Sequence, residues 1–439
     1  MTIDASLRLF ETLLTWCRDR HMIKARGRQR TDSTAVLAAV QALNRFELVA
    51  ETMRAALNIL ATVAPEWLQA HATTEWLDRY AVQLADDRLP IKQDQRIALA
   101  TTIGTDGSTL LSSIILADAP SWLRDLPDVR VLQRVWLQNY VPEAIGLRWR
   151  TTEDGLPPAT QCASSPYDPD ARYARKRTTQ WIGYKVHLTE TCDDTLPHLM
   201  THVETTSAPI TDGAMTPTIH AALQERDLLT DRHLVDTGYL DAQLLAQSQQ
   251  DFGVNRVGLP RPNVRWQAQE KTGYTADDFQ IDWEQRQARC PGGQTRISWT
   301  SAVDKPANQS IKIKFSPSDC PECPQRQACV RSEKRWVRRT LTIRTQAAYE
   351  ALQSACARET TAEYKWEAMT RAGIEGTISQ AVRRCGIRRS RYTGLAKTHQ
   401  QHVLMGTALN GVRLGAWLAG TPLAKTRVAP FVRVLRATT

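Results

Sequence analysis

Apolar residues recur at three- and four-residue intervals at the start of the chain (Leu7, Phe10, Leu13, Leu14, Cys17), which predicts an amphipathic helix with one face to bury. Thr31–Leu37 is rich in Thr and Val, as strands are, whereas the alanines after it favour helix. The reading is a short strand carrying Asp32 that turns into a helix. An Asp followed by Ser and Thr could equally cap a helix N-terminus. From Val36 to Val141 the spacing is mostly helical, in pieces such as FELVAETMRAALNILATVA and APSWLRDLPDVRVLQRVWLQNYV, with breaks expected at Pro65, Pro90, Gly104 and Pro120.

The period then drops to two. Ile182, Tyr184, Val186 and Leu188 alternate with polar residues, HLMTHVETT repeats the pattern, and Cys192–Pro197 between them reads as a hairpin loop. A helix is expected over Met215–Glu225. Leu234 and Val235 then end a short apolar strand with Asp236 at its C-terminal end, and Gly238 permits a tight turn. Short alternating runs, SIKIKFS and RRTLTIRT, carry the next stretch, whose Trp266, Trp283, Trp299 and Trp336 read as core residues. Helical spacing returns at Thr345–Trp366 and in VLMGTALNGVRLGAWL. The fold class is therefore α/β with a mixed sheet. Its segments are a helical stub (1–24), a first strand with Asp32 (25–40), a helical region (41–150), core strands and helices (151–250), a β-rich insertion (251–345), C-terminal helices with Glu375 (346–420) and a basic tail (421–439).

Charge sharpens this picture. The 439 residues carry a net +10, and Gly376–Thr439 holds eleven Lys or Arg and no acid, so residues 1–375 sum to 10 − 11 = −1. A near-neutral body with a basic end points to a polyanionic partner. No apolar run is long enough to span a bilayer and no leader pattern is visible, so a soluble, cytoplasmic protein with no membrane partner is expected. Of nine cysteines, Cys290, Cys320, Cys323 and Cys329 lie close together and the rest are scattered. This suits a reducing compartment. Cys320-x2-Cys323 has zinc-knuckle spacing, and Cys290 and Cys329 could complete a structural Zn²⁺ site; the alternative is buried free thiols.

Three acids hold comparable places: Asp32 on a first strand, Asp236 at the end of a later one, and Glu375 on a helix. If the strands are neighbours and the helix packs across them, the carboxylates share one pocket suited to a hard divalent ion, Mg²⁺ or Mn²⁺. The plainer reading of Glu375 is a salt bridge to Arg371, four residues earlier on the same helical face. Basic stretches at Lys24–Arg30, Arg172–Arg177 and Arg383–Lys397 adjoin these acids and are candidates for gripping phosphates. His187, His202 and His402 read as ordinary polar residues.

RGRQRTDSTAVLAAV around Asp32, WIGYKVHLTET, HLVDTGYLDA around Asp236, RAGIEGTISQAV around Glu375 and RRSRYTGLAK together resemble the DDE-type transposases of bacterial insertion sequences. The resemblance implies an RNase H-like catalytic core with a helical N-terminal insertion and a β-rich insertion before the glutamate helix. It implies that Asp32, Asp236 and Glu375 bind the metal ions that cut DNA and transfer strands. Double-stranded transposon-end and target DNA, a homodimer or larger synaptic complex, and a nucleoid-associated location follow from the same resemblance. Arg371 matches the family's arginine one turn before the glutamate. Arg383, Arg384, Arg388, Arg389, Arg391 and Lys397 are the further DNA-binding candidates. Ala368 and Val382 stand where the family has Tyr and Lys, and the family's longer N-terminal DNA-binding region is expected before the first Asp, where only residues 1–31 stand here. The alternative function is accordingly a truncated, non-cutting DNA-binding remnant.

Overall fold

The computed structural model describes residues 3–422 and 431, apart from 42, 85–88, 117, 145, 159–160, 304–307 and 335. The expected basic tail, 421–439, thus lies almost wholly outside the described residues.

A mixed sheet forms the centre. Its strands are β1 (Arg26–Leu37), β2 (Thr179–Thr191), β3 (Met200–Ser207), β4 (Thr230–Val235) and β5 (Asn255–Val257), in the order β3-β2-β1-β4-β5. The first three pair antiparallel; β4 runs parallel to β1 and β5 parallel to β4. A further strand, Arg172–Lys176, built from one of the basic stretches, pairs with the start of β2. The sheet also extends past residue 250, because β5 falls in the stretch read as insertion.

β1 is longer than the sequence suggested and absorbs the basic run before Asp32. Its arginines find acids, which is why they can enter a strand: Arg26 pairs with Asp231, Arg28 with Asp194 at 2.7 Å, and buried Arg30 with Glu190 at 2.6 Å. Most of the run expected to grip phosphates is therefore neutralised within the fold. No helix follows directly at Ala38. The next begins at Arg45, where Asn44 and Glu47 form a reciprocal capping box.

Helix α1 (Ile3–Asp19) buries Phe10, Leu14 and Cys17, the apolar face anticipated for it, against the C-terminal helix, here α7 (Leu395–Leu418). Between them in the chain come α2 (Thr216–Glu225), α3 (Ala242–Phe252), α4 (Gln346–Glu359), α5 (Ala362–Arg371) and α6 (Gly373–Cys385). Helices at Arg45–Val63, Gln93–Ile115 and Pro127–Asn139 build a separate core around Met53, Leu60, Leu110 and Leu132. Gly104, expected to break a helix, lies inside one. A Cβ there would stand 2.5 Å from the Tyr140 ring, so the glycine serves close packing.

Before α4, the strands β6 (Ser298–Val303), β7 (Gln309–Lys314) and β8 (Thr340–Arg344) make a small antiparallel sheet in that order. Trp283 meets Trp299 of β6 edge-to-face, but Trp336 is 71% exposed and is not the core residue it was expected to be.

Candidate active site

The register of two parallel strands creates the site. Thr31 of β1 lies opposite Val235 of β4, so Asp32 and Asp236 leave neighbouring strands at the same level. Asp32 is therefore a strand residue and not a helix cap. Thr31 anchors this level from below, its hydroxyl within 2.7 Å of Thr189 Oγ1 and 2.6 Å of His233 Nε2.

Alternation along β1 turns Arg30, Asp32 and Thr34 to one face. Each meets the segment around Glu375. Arg30 donates to the Thr370 carbonyl (2.6 Å), Asp32 faces Arg371 Nη1 (3.4 Å), and Thr34 Oγ1 accepts from Arg388 Nε (2.9 Å). Arg371 also reaches Glu375 Oε1 at 3.1 Å, so the salt bridge anticipated from their spacing forms, with Asp32 as a second partner of the same guanidinium. Arg371 ends α5 and Glu375 lies in the first turn of α6.

The close seat of α6 on β1 depends on Gly373. A Cβ at that position would stand 2.0 Å from Arg30 Nη1. A second anchor lies one turn on. Thr377 of α6 donates to Glu190 Oε2 (2.7 Å), and fully buried Glu190 also accepts from Arg30 Nε (2.7 Å) and Arg413 Nη1 (2.6 Å). Burial would push this carboxyl up, but Arg413 and Arg30 outweigh it and hold Glu190 below the usual glutamate range.

Asp32 behaves in the opposite way. Burial, reinforced by the charge of Asp236, raises its carboxyl above the ordinary range, against the pull of the Ser33 amide, Arg371 and Lys176. Asp32, Ser33, Glu375, Ser379, Arg383 and Arg388 line an open cavity of about 380 Å³. Among the described residues, no group of three or more His, Cys, Asp or Glu side chains stands ready-made to hold a metal ion. Arg371 engages two of the three carboxylates, Asp32 and Glu375. The donor set itself, hard carboxylate oxygens, fits Mg²⁺ or Mn²⁺.

Several groups beside the acids were not anticipated. Asp212 accepts from Ser33 Oγ (2.9 Å) and pairs with Lys185 (3.0 Å), which holds its carboxyl down against the effect of burial. It also approaches Gly238, in the turn that follows Asp236. His187 is fully buried with Nδ1 2.7 Å from the Tyr239 hydroxyl, and burial lowers its pKa to about 4, so it serves as a neutral support. Asp212 sits in a loop with no periodicity, and only its place beside the strands gives it meaning.

Of the DNA-binding candidates, Arg383 and Arg388 flank the cavity. Arg384 and Arg389 are exposed, and Arg391 and Lys397 line a separate groove beside Tyr392. The segment Arg388–Ser390 is stitched to the end of β1 by the Leu37 N–H to the Arg388 carbonyl and the Ser390 N–H to the Leu37 carbonyl. The described helices include none long and apolar enough to cross a membrane.

Residues 289–414 match the family model of the transposase DDE domain. The matched stretch contains Arg371, Glu375 and the four clustered cysteines; Asp32 and Asp236 precede it. Comparison with curated proteins and with solved structures returns no match.

Proposed function

We propose that this chain, a DDE-type transposase by its matched domain, binds the DNA ends of a mobile element, cuts them and joins them to target DNA. One observation carries the reading: the strand register brings Asp32 beside Asp236, and a single arginine ties Asp32 to Glu375. The order of three antiparallel strands followed by two parallel ones supports an RNase H-like core.

DDE transposase domains generally use divalent metal ions. Asp32 and Asp236 would hold such ions jointly, and Glu375 would complete the set from α6. Bound there, a pair of Mg²⁺ or Mn²⁺ ions supplies activation of the attacking oxygen and stabilisation of the leaving one in phosphodiester displacement. The chain's own groups do the positioning. Arg371 neutralises Asp32 and Glu375 when no cation does so, and its guanidinium is free to take a phosphate once they are otherwise engaged. Arg383 and Arg388, on the cavity rim, grip the DNA backbone, while Arg384, Arg389, Arg391 and Lys397 extend that basic surface. Such contacts position DNA without reading its sequence. Joining two ends requires a dimer or larger assembly.

The test is metal-dependent cleavage of DNA bearing the element's terminal repeats, comparing the unaltered chain with Asp236→Ala. Cutting that needs Mg²⁺ and disappears in the variant supports the reading. Binding of those ends without cutting by either protein would favour the non-cutting remnant.

A further inference from the structure

The β-rich insertion is poorly provided with core for its length. Its buried cluster comprises Phe279, Ala288, Ile313, Phe315, Leu341 and Ile343, to serve a segment of about ninety residues. Regions this thin in apolar burial are usually stapled by disulfides or metal. Between Phe315 and β8 the described residues include a four-residue helix (Arg326–Cys329), held by arginine side chains that bond backbone carbonyls: Arg326 to Val337, Ser332 and Lys334, and Arg339 to Cys329 and Tyr274.

Four thiols gather at this weak place. Cys290 opens the turn CPGG, closed by the Gly293 N–H to the Cys290 carbonyl, and Cys320 opens the turn CPEC, closed by the Cys323 N–H to the Cys320 carbonyl. The turns face each other. A Cβ at Gly292 would lie 3.3 Å from Cys323 Sγ and 3.7 Å from Cys290 Sγ, so both sulfurs border the same glycine. Cys329, at the end of the short helix, has Cys290, Cys323 and Cys320 as electrostatic neighbours, and Cys290, Cys320 and Cys329 border the small core. All nine cysteines of the chain are free thiols.

We propose that Cys290, Cys320, Cys323 and Cys329 bind one structural zinc ion that staples the insertion. The two turns carry Cys290, Cys320 and Cys323, and Cys329 completes a set of four sulfur donors, the set that structural zinc favours. The thiols are neighbours that do not yet converge on one point. Binding draws them together, and each thiol gives its proton to solvent. The ion has no part in phosphodiester chemistry, so this inference stands apart from the function proposed above.

The full-length chain, purified under reducing conditions without chelator, is expected to retain one zinc per molecule on elemental analysis. Replacing the zinc with Co²⁺ should give the thiolate-to-cobalt charge-transfer absorption of a four-sulfur site. Cys323→Ser should lower affinity at least tenfold, whereas Cys356→Ser, an exposed cysteine outside the group, and Asp236→Ala should keep full zinc content. A metal-free protein in which Co²⁺ raises no thiolate band overturns the proposal, as does zinc that survives Cys323→Ser unchanged. If Cys323→Ser does not fold, the cobalt spectrum of the unaltered chain decides.

Discussion

Replacing Glu190 with Gln tests whether the buried charge network seats the helix that carries Glu375. The change keeps shape and removes charge. Glu190 receives Arg30, Arg413 and Thr377 at 2.6–2.7 Å, and one of its oxygens would become an amide NH₂ facing those donors. Removing one partner of a buried ion pair costs roughly 3–5 kcal/mol, because the remaining charge stays buried. Arg30 retains the Thr370 carbonyl and Arg413 the His198 carbonyl, so the lower end, about 3 kcal/mol, is expected. That is a large part of a net stability of about 5–15 kcal/mol. In urea the unfolding midpoint should fall by roughly 1 M for a slope near 3 kcal/mol/M. The pH dependence gives a second readout. Because the folded pKa of Glu190 lies below its ordinary 4.5, its stabilisation is present above that value and lost as pH falls through the folded one. The two proteins should therefore converge in acid. A loss under about 0.5 kcal/mol at pH 7, within the range of surface substitutions, would refute the argument.

Two further perturbations bear on the same face. Gly373→Ala drives a Cβ into Arg30, which is pinned at both ends and cannot yield freely, so a loss of about 1–3 kcal/mol by urea denaturation is expected; an unchanged midpoint would count against the close seat of α6. Asp32→Asn should stabilise the chain at pH 7 in chelator by about 0.5–1 kcal/mol while abolishing cleavage. Its carboxyl is raised by burial and by Asp236, so the acid's stabilising contribution is complete below its unfolded pKa of about 3.8 and lost as pH rises through the folded value. The advantage of Asn should thus vanish near pH 3, and a variant less stable at pH 7 would contradict it.

The sequence made the strands of the central sheet legible because period-two alternation around Ile182–Leu188 and the apolar run to Val235 are local signals. It also singled out Asp32, Asp236 and Glu375, whose neighbouring residues carry the family resemblance. Arg26–Arg30 was misread for a physical reason. A run of arginines looks solvated until its acids are found, and these stand at Asp194, Glu190 and Asp231, about 160 or more residues away. Asp212 and Glu190 escaped for the same reason: their roles depend on partners brought near only by tertiary packing. Gly104 shows the converse error, a propensity overridden by a neighbouring ring.

β1 has no free edge: β2 covers one side and β4 the other. Its central residue Thr31 bonds to partners 158 and 202 residues further along the chain. At ribosomal speeds of about 5–20 residues per second, β1 emerges roughly 10–40 s before its second neighbour exists. Until β2 is made, a twelve-residue β-forming segment has both ladders unsatisfied, and its arginines have yet to meet their acids. Their uncompensated charge then acts as a gatekeeper against pairing with another nascent chain. The same arginines that brace the finished sheet thus keep its first strand soluble while the rest is being made.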